Sequence, residues 1–412
     1  MPRSGWLKPL SCDRLPDRVS VGVLTRVFPP EVVDAVLLET GRLQQRRRAL
    51  PARLMVYYVL ALALFADASY EEVMRQLTEG LAWSSSWRDS WVVPDKAAIA
   101  RARQRLGVEP LELLFRTVAV PLSVVGTVGA FYRGWRVVSL DGSCLDVADT
   151  SANESAFGRP GSHRRAGGGA FPMVRVVGVC ESGSHAIVDA ELAPYRVSER
   201  VLADALVSRL TPGVVCLADR GIFGFERFNA ARASGAEVLW RVMKKQSLPV
   251  VKRLRDGSFL SRLEVPDGLR ATDAERLVRV VEYSLASEPA APETAPAEPT
   301  SYRLLTSILE PKRAPAAELA ALYRERWEIE NAFDELKTHQ RGPRAVLRSK
   351  SPEGVLQEAY GLLLTHYAIR RLMYDAALSV GIDPDRLSFT RSLRAARRSA
   401  RADTGLSPQE TR

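Results

Sequence analysis

Apolar and polar positions follow a helical period over the first third of the chain and a strand period after it. Pro29-Pro30 opens a segment, Glu31 to Gly41, whose apolar residues recur at helical spacing. Leu54 to Ala66 is an unbroken apolar run of 13 residues (66 − 54 + 1). That is too short to span a bilayer and fits a buried helix. Ser69-Tyr70-Glu71-Glu72 has the form of a capping box and predicts a further helix start. Beyond a Trp-rich link around Trp83, Trp87 and Trp91, Asp95 is placed to cap a helix that carries Lys96, Arg101, Arg103 and Arg105 up to Gly107. A short helix, a turn and a basic helix can form a helix-turn-helix entering a major groove. A small bundle with a solvated basic face fits the same pattern.

From about 131 the period changes. β-branched runs predict strands near 135–140, 174–180, 185–192, 214–218 and 237–243, with helices near 198–210 and 225–234. Three strands, a crossover helix, a fourth strand, a helix and a fifth strand describe an α/β domain with a mixed five-stranded sheet. Further strand-like runs, Leu277 to Leu285 and Tyr302 to Leu309, flank a stretch rich in Pro, Ala and Glu from Ser287 to Pro299 that is expected to be disordered. An apolar helix is expected over 352–379, followed by a basic tail from Arg391 to Arg401 that reads either as a phosphate-contacting arm or as disordered chain.

Two strands deliver acids. Val137-Val138-Ser139-Leu140 runs into Asp141-Gly142, and Val214-Val215-Cys216-Leu217-Ala218 runs into Asp219-Arg220-Gly221. Each looks like a buried strand carrying a carboxylate at its C-terminal end, where open α/β sheets place their sites. An ordinary Asp-Gly turn is the plain alternative. A third acid lies in Tyr323-Arg324-Glu325-Arg326-Trp327-Glu328-Ile329-Glu330, which continues to Lys337. On a helix the spacings Tyr323/Arg326, Arg326/Glu330 and Glu330/Lys337 align a phenol, two cations and a carboxylate on one stripe. Such a carboxylate can hold a divalent metal while its neighbours grip phosphate oxygens. A solvated helix laced with ion pairs is the competing reading. Among the remaining acids, Asp146, Asp149 and Asp334 fit the pattern less well.

The motif Y-x2-R-x3-E-x6-K, with Asp141 and Asp219 upstream, resembles the DDE transposases of the bacterial insertion-sequence-four-like family, which carry a Tyr-Arg-Glu-Lys signature. The resemblance covers about residues 15 to 375. It implies a ribonuclease-H-like catalytic core, a β-rich insertion, metal-dependent cleavage and strand transfer of DNA, and binding to the inverted-repeat ends of an element. It places the catalytic and metal-ligating roles on Asp141, Asp219 and Glu330, with Asp141 shared between two Mg2+ ions (Mn2+ as substitute). Two such ions activate the attacking oxygen and stabilise the leaving one. Tyr323, Arg326, Lys337, Arg220 and Trp327 are the expected DNA contacts, with Trp327 and Trp240 as candidates for stacking on a flipped base. The expected partners are double-stranded DNA and a second copy of the chain on paired ends, with neither membrane nor nucleotide cofactor.

Composition shifts this picture only slightly. Lys and Arg number 58 against 48 Asp and Glu, a net charge of +10, which favours a polyanionic partner. Four scattered cysteines (Cys12, Cys144, Cys180, Cys216) and four histidines without metal-ligand spacing argue against zinc and for reduced, buried thiols in a cytoplasmic protein; the resemblance adds that it is nucleoid-associated when bound to DNA. The Gly-rich stretch Gly158 to Gly169, with Arg159, His163, Arg164 and Arg165, lacks a nucleotide-cradling arrangement and reads as a basic loop. The predicted organisation is a helical DNA-binding domain over 1–130, the first part of the core over 131–245, the insertion over 246–310, the core helix with C-terminal helices over 311–380, and a tail over 381–412. A DNA-binding descendant without chemistry, or a nuclease that does not join strands, remains open at this point.

Overall fold

The computed structural model describes residues 23–43, 50–79, 93–160, 171–285, 300–342 and 346–402. The link at Trp83, Trp87 and Trp91, the loop residues His163 to Arg165 and the stretch from Ser287 to Pro299 lie outside them. The chain divides into two units. One comprises residues 1–119, 336–373 and 387–412, and the other 120–335 and 374–386.

The first unit is helical. Its N-terminal elements are α1 (Val23–Val27), α2 (Pro30–Glu39), α3 (Ala52–Leu64), α4 (Tyr70–Glu79), α5 (Lys96–Leu106) and α6 (Glu109–Val118). The apolar run becomes α3, buried on every face from Leu54 to Leu64. A helix apolar all round has to be covered on all sides, and α2, α4 and α5 supply part of that cover. Ser69 caps α4 by accepting the Glu72 amide at 3.2 Å. Asp95 caps α5 through the Ala98 amide at 2.6 Å, and Gly107 ends that helix at φ 75°.

In the second unit the strands are β1 (Phe131–Tyr132), β2 (Trp135–Asp146), β3 (Met173–Glu181), β4 (Ile187–Pro194), β5 (Val214–Ala218), β6 (Glu237–Arg241), β7 (Lys252–Arg253), β8 (Phe259–Arg262), β9 (Leu277–Leu285) and β10 (Thr300–Thr306). Among them run α7 (Ser151–Phe157), α8 (Glu199–Val207), α9 (Phe225–Ala233) and α10 (Asp273–Arg276). The unit continues with α11 (Ala316–Leu322), a 3-10 turn over Tyr323–Trp327 and α12 (Glu328–Asp334). A π-helical stretch, Glu335–Gln340, then leads into the helical unit, where α13 (Pro352–Val380) and α14 (Phe389–Ala402) follow. Residues Tyr374 to Val380 of α13 belong to the second unit.

The described strands form one sheet in the order β4-β3-β2-β5-β6-β10-β9-β8-β7, with β1 paired to β2. β4, β3 and β2 pair antiparallel, whereas β2, β5 and β6 run parallel. This is the ribonuclease-H-like core expected from the sequence, flanked by helices. The insertion strands continue the same sheet, because β10 pairs antiparallel with β6. Strand alternation sorts the side chains onto two faces. Val138, Leu140, Cys216, Ala218, Val238 and Trp240 face the core containing α8 and α9 residues, while Val137, Val215, Leu217 and Leu239 face the one containing α11 and Tyr323.

One expectation changes. β2 does not stop at Leu140 but runs to Asp146, so Asp141-Gly142 lies within a strand and not in a turn. Pairing with β3 as far as Met173 satisfies the backbone groups that a turn would otherwise have served.

Candidate active site

Strand register explains how the two aspartates meet. The parallel pairing of β2 with β5 ends at Leu140 opposite Ala218, which puts Asp141 beside Asp219 one step further on. β5 pairs with β6 up to Ala218 opposite Trp240, so Arg241 stands next in the same row. Neighbouring strands lie about 4.8 Å apart. By the alternation above, Asp141, Asp219 and Arg241 all project to the face covered by α11 and α12. Asp146, five residues beyond Asp141, falls on the opposite face, and Asp149 is held by Arg159 at 2.8 Å.

The helical motif sits over that row. Arg326 is buried, and its guanidinium bridges Asp141 Oδ2 at 3.3 Å and Glu330 Oε1 at 2.9 Å. Its Cζ lies 4.8 Å from the centre of the Trp327 ring, which is 54% exposed. Tyr323 is buried, and its hydroxyl donates to the Ala218 carbonyl at 3.3 Å and to Asp219 Oδ1 at 3.4 Å. Burial and the adjacent Asp219 push its phenol well above the usual range, so it remains a donor. Arg241 Nη1 reaches Asp219 Oδ1 at 3.6 Å. The structure therefore joins Asp141, Asp219, Glu330, Tyr323 and Arg326 into one connected group. Arg220 is exposed beside it. Lys337 is exposed on the π-helical stretch and belongs to the helical unit. The uniform α-helical stripe expected from Tyr323 to Lys337 is thus replaced by a 3-10 turn, a short α-helix and a π-helical stretch. Trp240 is fully buried, edge-on to Phe228 at 5.6 Å, which removes it as a stacking partner for a base.

Two neighbours were not visible in the sequence. Gly142 faces α8, where a Cβ would come within 2.6 Å of the Glu199 carboxyl. The missing side chain lets Glu199 approach Asp141 from the other side of the strand. Burial is the main cause that pushes the Asp141 carboxyl up to about 6, and Glu199 and Glu330 add to it. The Gly142 amide, donating at 2.8 Å, and Arg326 oppose the rise. Arg241 is the second. A helix-start Glu and a strand-end Arg carry no signal of their own, and only the register brings them to the acids.

Carboxylate oxygens are the ligands that a hard divalent cation takes, and the Arg326 guanidinium between Asp141 and Glu330 balances part of their charge. Asp141, Asp219 and Glu330 keep partial exposure, with side chains 23%, 33% and 42% accessible. Among the described residues the group whose ligand atoms all lie within 4.8 Å of one another is a separate one, His185, Glu328 and Asp385, which could hold a metal ion. His185 Nε2 lies 2.7 Å from Glu328 and 3.1 Å from Asp385. It shares no residue with the row on the sheet.

A ribonuclease-H-like sheet with acids from two parallel strands and a following helix is the architecture of enzymes that process phosphodiesters. Residues 133–367 match the family described as transposase DDE domain, and residues 18–116 match insertion element 4 transposase N-terminal. The chain belongs to the DDE transposases of the insertion element 4 type. It is accordingly an enzyme of DNA transposition whose DNA cleavage and strand transfer depend on metal. It is 29% identical over 390 residues to transposase InsG for insertion sequence element IS4 of Escherichia coli (strain K12), spanning 92% of this chain and 83% of that protein. It is also similar to the cryo-EM structure of piggyBac transposase synaptic complex with hairpin DNA, with a TM-score of 0.48 and 12% identity over 94% of this chain and 81% of the other. No described helix is long and apolar enough to cross a membrane.

Proposed function

We propose that the chain cuts the inverted-repeat ends of its own element and joins them to target DNA at a single site built from Asp141, Asp219 and Glu330. The shared register of Asp141 and Asp219 beneath the helix that carries Glu330 is the observation that supports this most. The three carboxylates would hold two Mg2+ ions, which supply charge neutralisation and activation of the attacking oxygen. Arg326 orients Asp141 and Glu330 by bridging them, and Tyr323 and Arg241 fix the carboxylate of Asp219. The exposed Trp327 ring, backed by the Arg326 guanidinium, offers a surface on which a base can stack. Arg220 and Lys337 contact phosphates. No side chain serves as nucleophile; water, and then a DNA 3′-hydroxyl, attacks the phosphorus. Two copies act together, one on each end.

Asp219→Asn tests the assignment. The variant should bind duplexes carrying the element's ends as the parent does, lose Mn2+ binding by calorimetry, and neither nick nor join. Parental cleavage by this variant would remove Asp219 from the site. Cleavage by the parent chain with no joined product at all would instead make it a nuclease.

A further inference from the structure

We infer that α14 is a docking surface for the DNA backbone, one that the catalytic site does not include. The inference rests on the transposase reading and names a further place where the same ligand is held. α14 has the sequence FTRSLRAARRSARA, with five arginines and no acid. Phe389, Leu393 and Ala396 are buried in the helical unit, and Arg397 donates to the Leu64 carbonyl at 2.6 Å. These residues fix which way the helix faces. Arg391, Arg394 and Arg398 are then left on one exposed stripe, three and four residues apart.

Packing and helix electrostatics do not explain this stripe. Like charges three or four residues apart on a helix repel. Arg391 sits in the first turn, where the helix dipole disfavours a cation, and that turn holds no acid to offset it. Elsewhere in the same unit, helix arginines meet carboxylates: Arg116 with Glu112 at 3.0 Å and Arg75 with Glu72 at 2.5 Å. Among the described residues none of the three α14 side chains has such a partner. No described residue supplies the counter-charge, and a polyanion would.

Geometry and charge point to a nucleic-acid backbone. From Arg391 to Arg398 the helix rises about 10 Å. Phosphates of one DNA strand follow each other every 3.4 Å or so along the axis, so the stripe spans about three of them. Guanidinium groups suit phosphate oxygens because they present paired donors.

The test compares the full-length chain with its Arg391→Ala/Arg394→Ala/Arg398→Ala variant and the matching triple Lys variant, on a mixed-sequence DNA duplex over a salt series. Each lost phosphate contact lowers the log–log salt slope by about 0.9, so the Ala variant should have a slope shallower by about 2–3 and bind at least ~10-fold more weakly at ~0.1 M salt. The Lys variant should keep most of the slope. Thermal melting of the Ala variant should match the parent or exceed it, since a repulsive stripe has been removed. An unchanged slope, with the parent binding normally, overturns the inference and leaves the transposase reading standing. Absence of DNA binding by the parent would overturn both. Parental binding to phosphatidylserine vesicles as tight as to duplex, and lost in the Ala variant, would assign the stripe to a lipid surface instead.

Discussion

Gly142 shows how much one absent side chain can decide. Its hydrogen lies where a methyl would collide with Glu199, and that gap lets a third carboxylate crowd Asp141 from behind. In Gly142→Ala the flexible Glu199 side chain should move aside, so folding survives while the placement of Asp141 shifts. Misplacement by around an ångström can cost about 10²-fold in rate. We expect cleavage to fall by one to two orders of magnitude with near-parental melting; parental cleavage would show that the close approach of Glu199 is incidental. The crowding also has a stability signature. Asp141 is raised to about 6 in the fold against 3.8 in the unfolded chain, so the folded state holds the proton more tightly. Its contribution is favourable below that unfolded value and is lost as pH rises through 6. Asp141→Asn should therefore stabilise metal-free protein at pH 7 by something on the order of 1–3 kcal/mol, and hardly at all near pH 4. Equal melting temperatures for the two proteins at pH 7 would contradict the crowding.

Elements set the limits within which such residues work. α3 is apolar on all faces, and α13 reaches it closely at Gly361, where a Cβ would come within 3.0 Å of the Val59 carbonyl. Thr365 on α13 donates to the Leu60 carbonyl at 3.1 Å, fixing the same contact. Gly361→Leu has to push the two helices apart, and overpacking of this kind costs about 1–3 kcal/mol. The expected readout is a lower denaturation midpoint with an unchanged dependence on denaturant; a midpoint equal to the parent's would mean that the helices yield freely. In the other unit, β2, β5 and β6 act as a ruler. Parallel pairing puts Asp141, Asp219 and Arg241 at one level, and α12 brings Glu330 over them through Arg326.

At the scale of the whole molecule, transposition joins two ends, and the reading above assigns one copy to each. Titrating Asp219→Asn chain into parental chain at constant total concentration offers a count of active copies. If a doubly joined product needs two competent copies, its yield should fall as the square of the parental fraction, to about one quarter in an equal mixture. A linear fall to one half would mean that one copy completes both ends.

The sequence by itself determined most of the elements and which acids stand at strand ends and on the helical motif. Helical and strand periods, the caps at Ser69 and Asp95, and the fixed spacing of Tyr323, Arg326 and Glu330 are local features, and local physics reads them. It did not determine that β2 runs through Asp141 to Asp146, because the partner that satisfies that backbone, β3, lies some thirty residues further on. Nor could it place the insertion strands on the β6 edge, or change the winding to π at Glu335, since both depend on what packs against the segment. Glu199 and Arg241 became neighbours of the site only through register, where a shift of one residue would turn each side chain to the opposite face. Arg326 shows the same division: its spacing marks it as a cation near Glu330, but only the tertiary structure turns it inward, between two carboxylates. Period and spacing act within a segment, whereas a metal site is made from segments far apart in the chain, and only their packing brings the charges together.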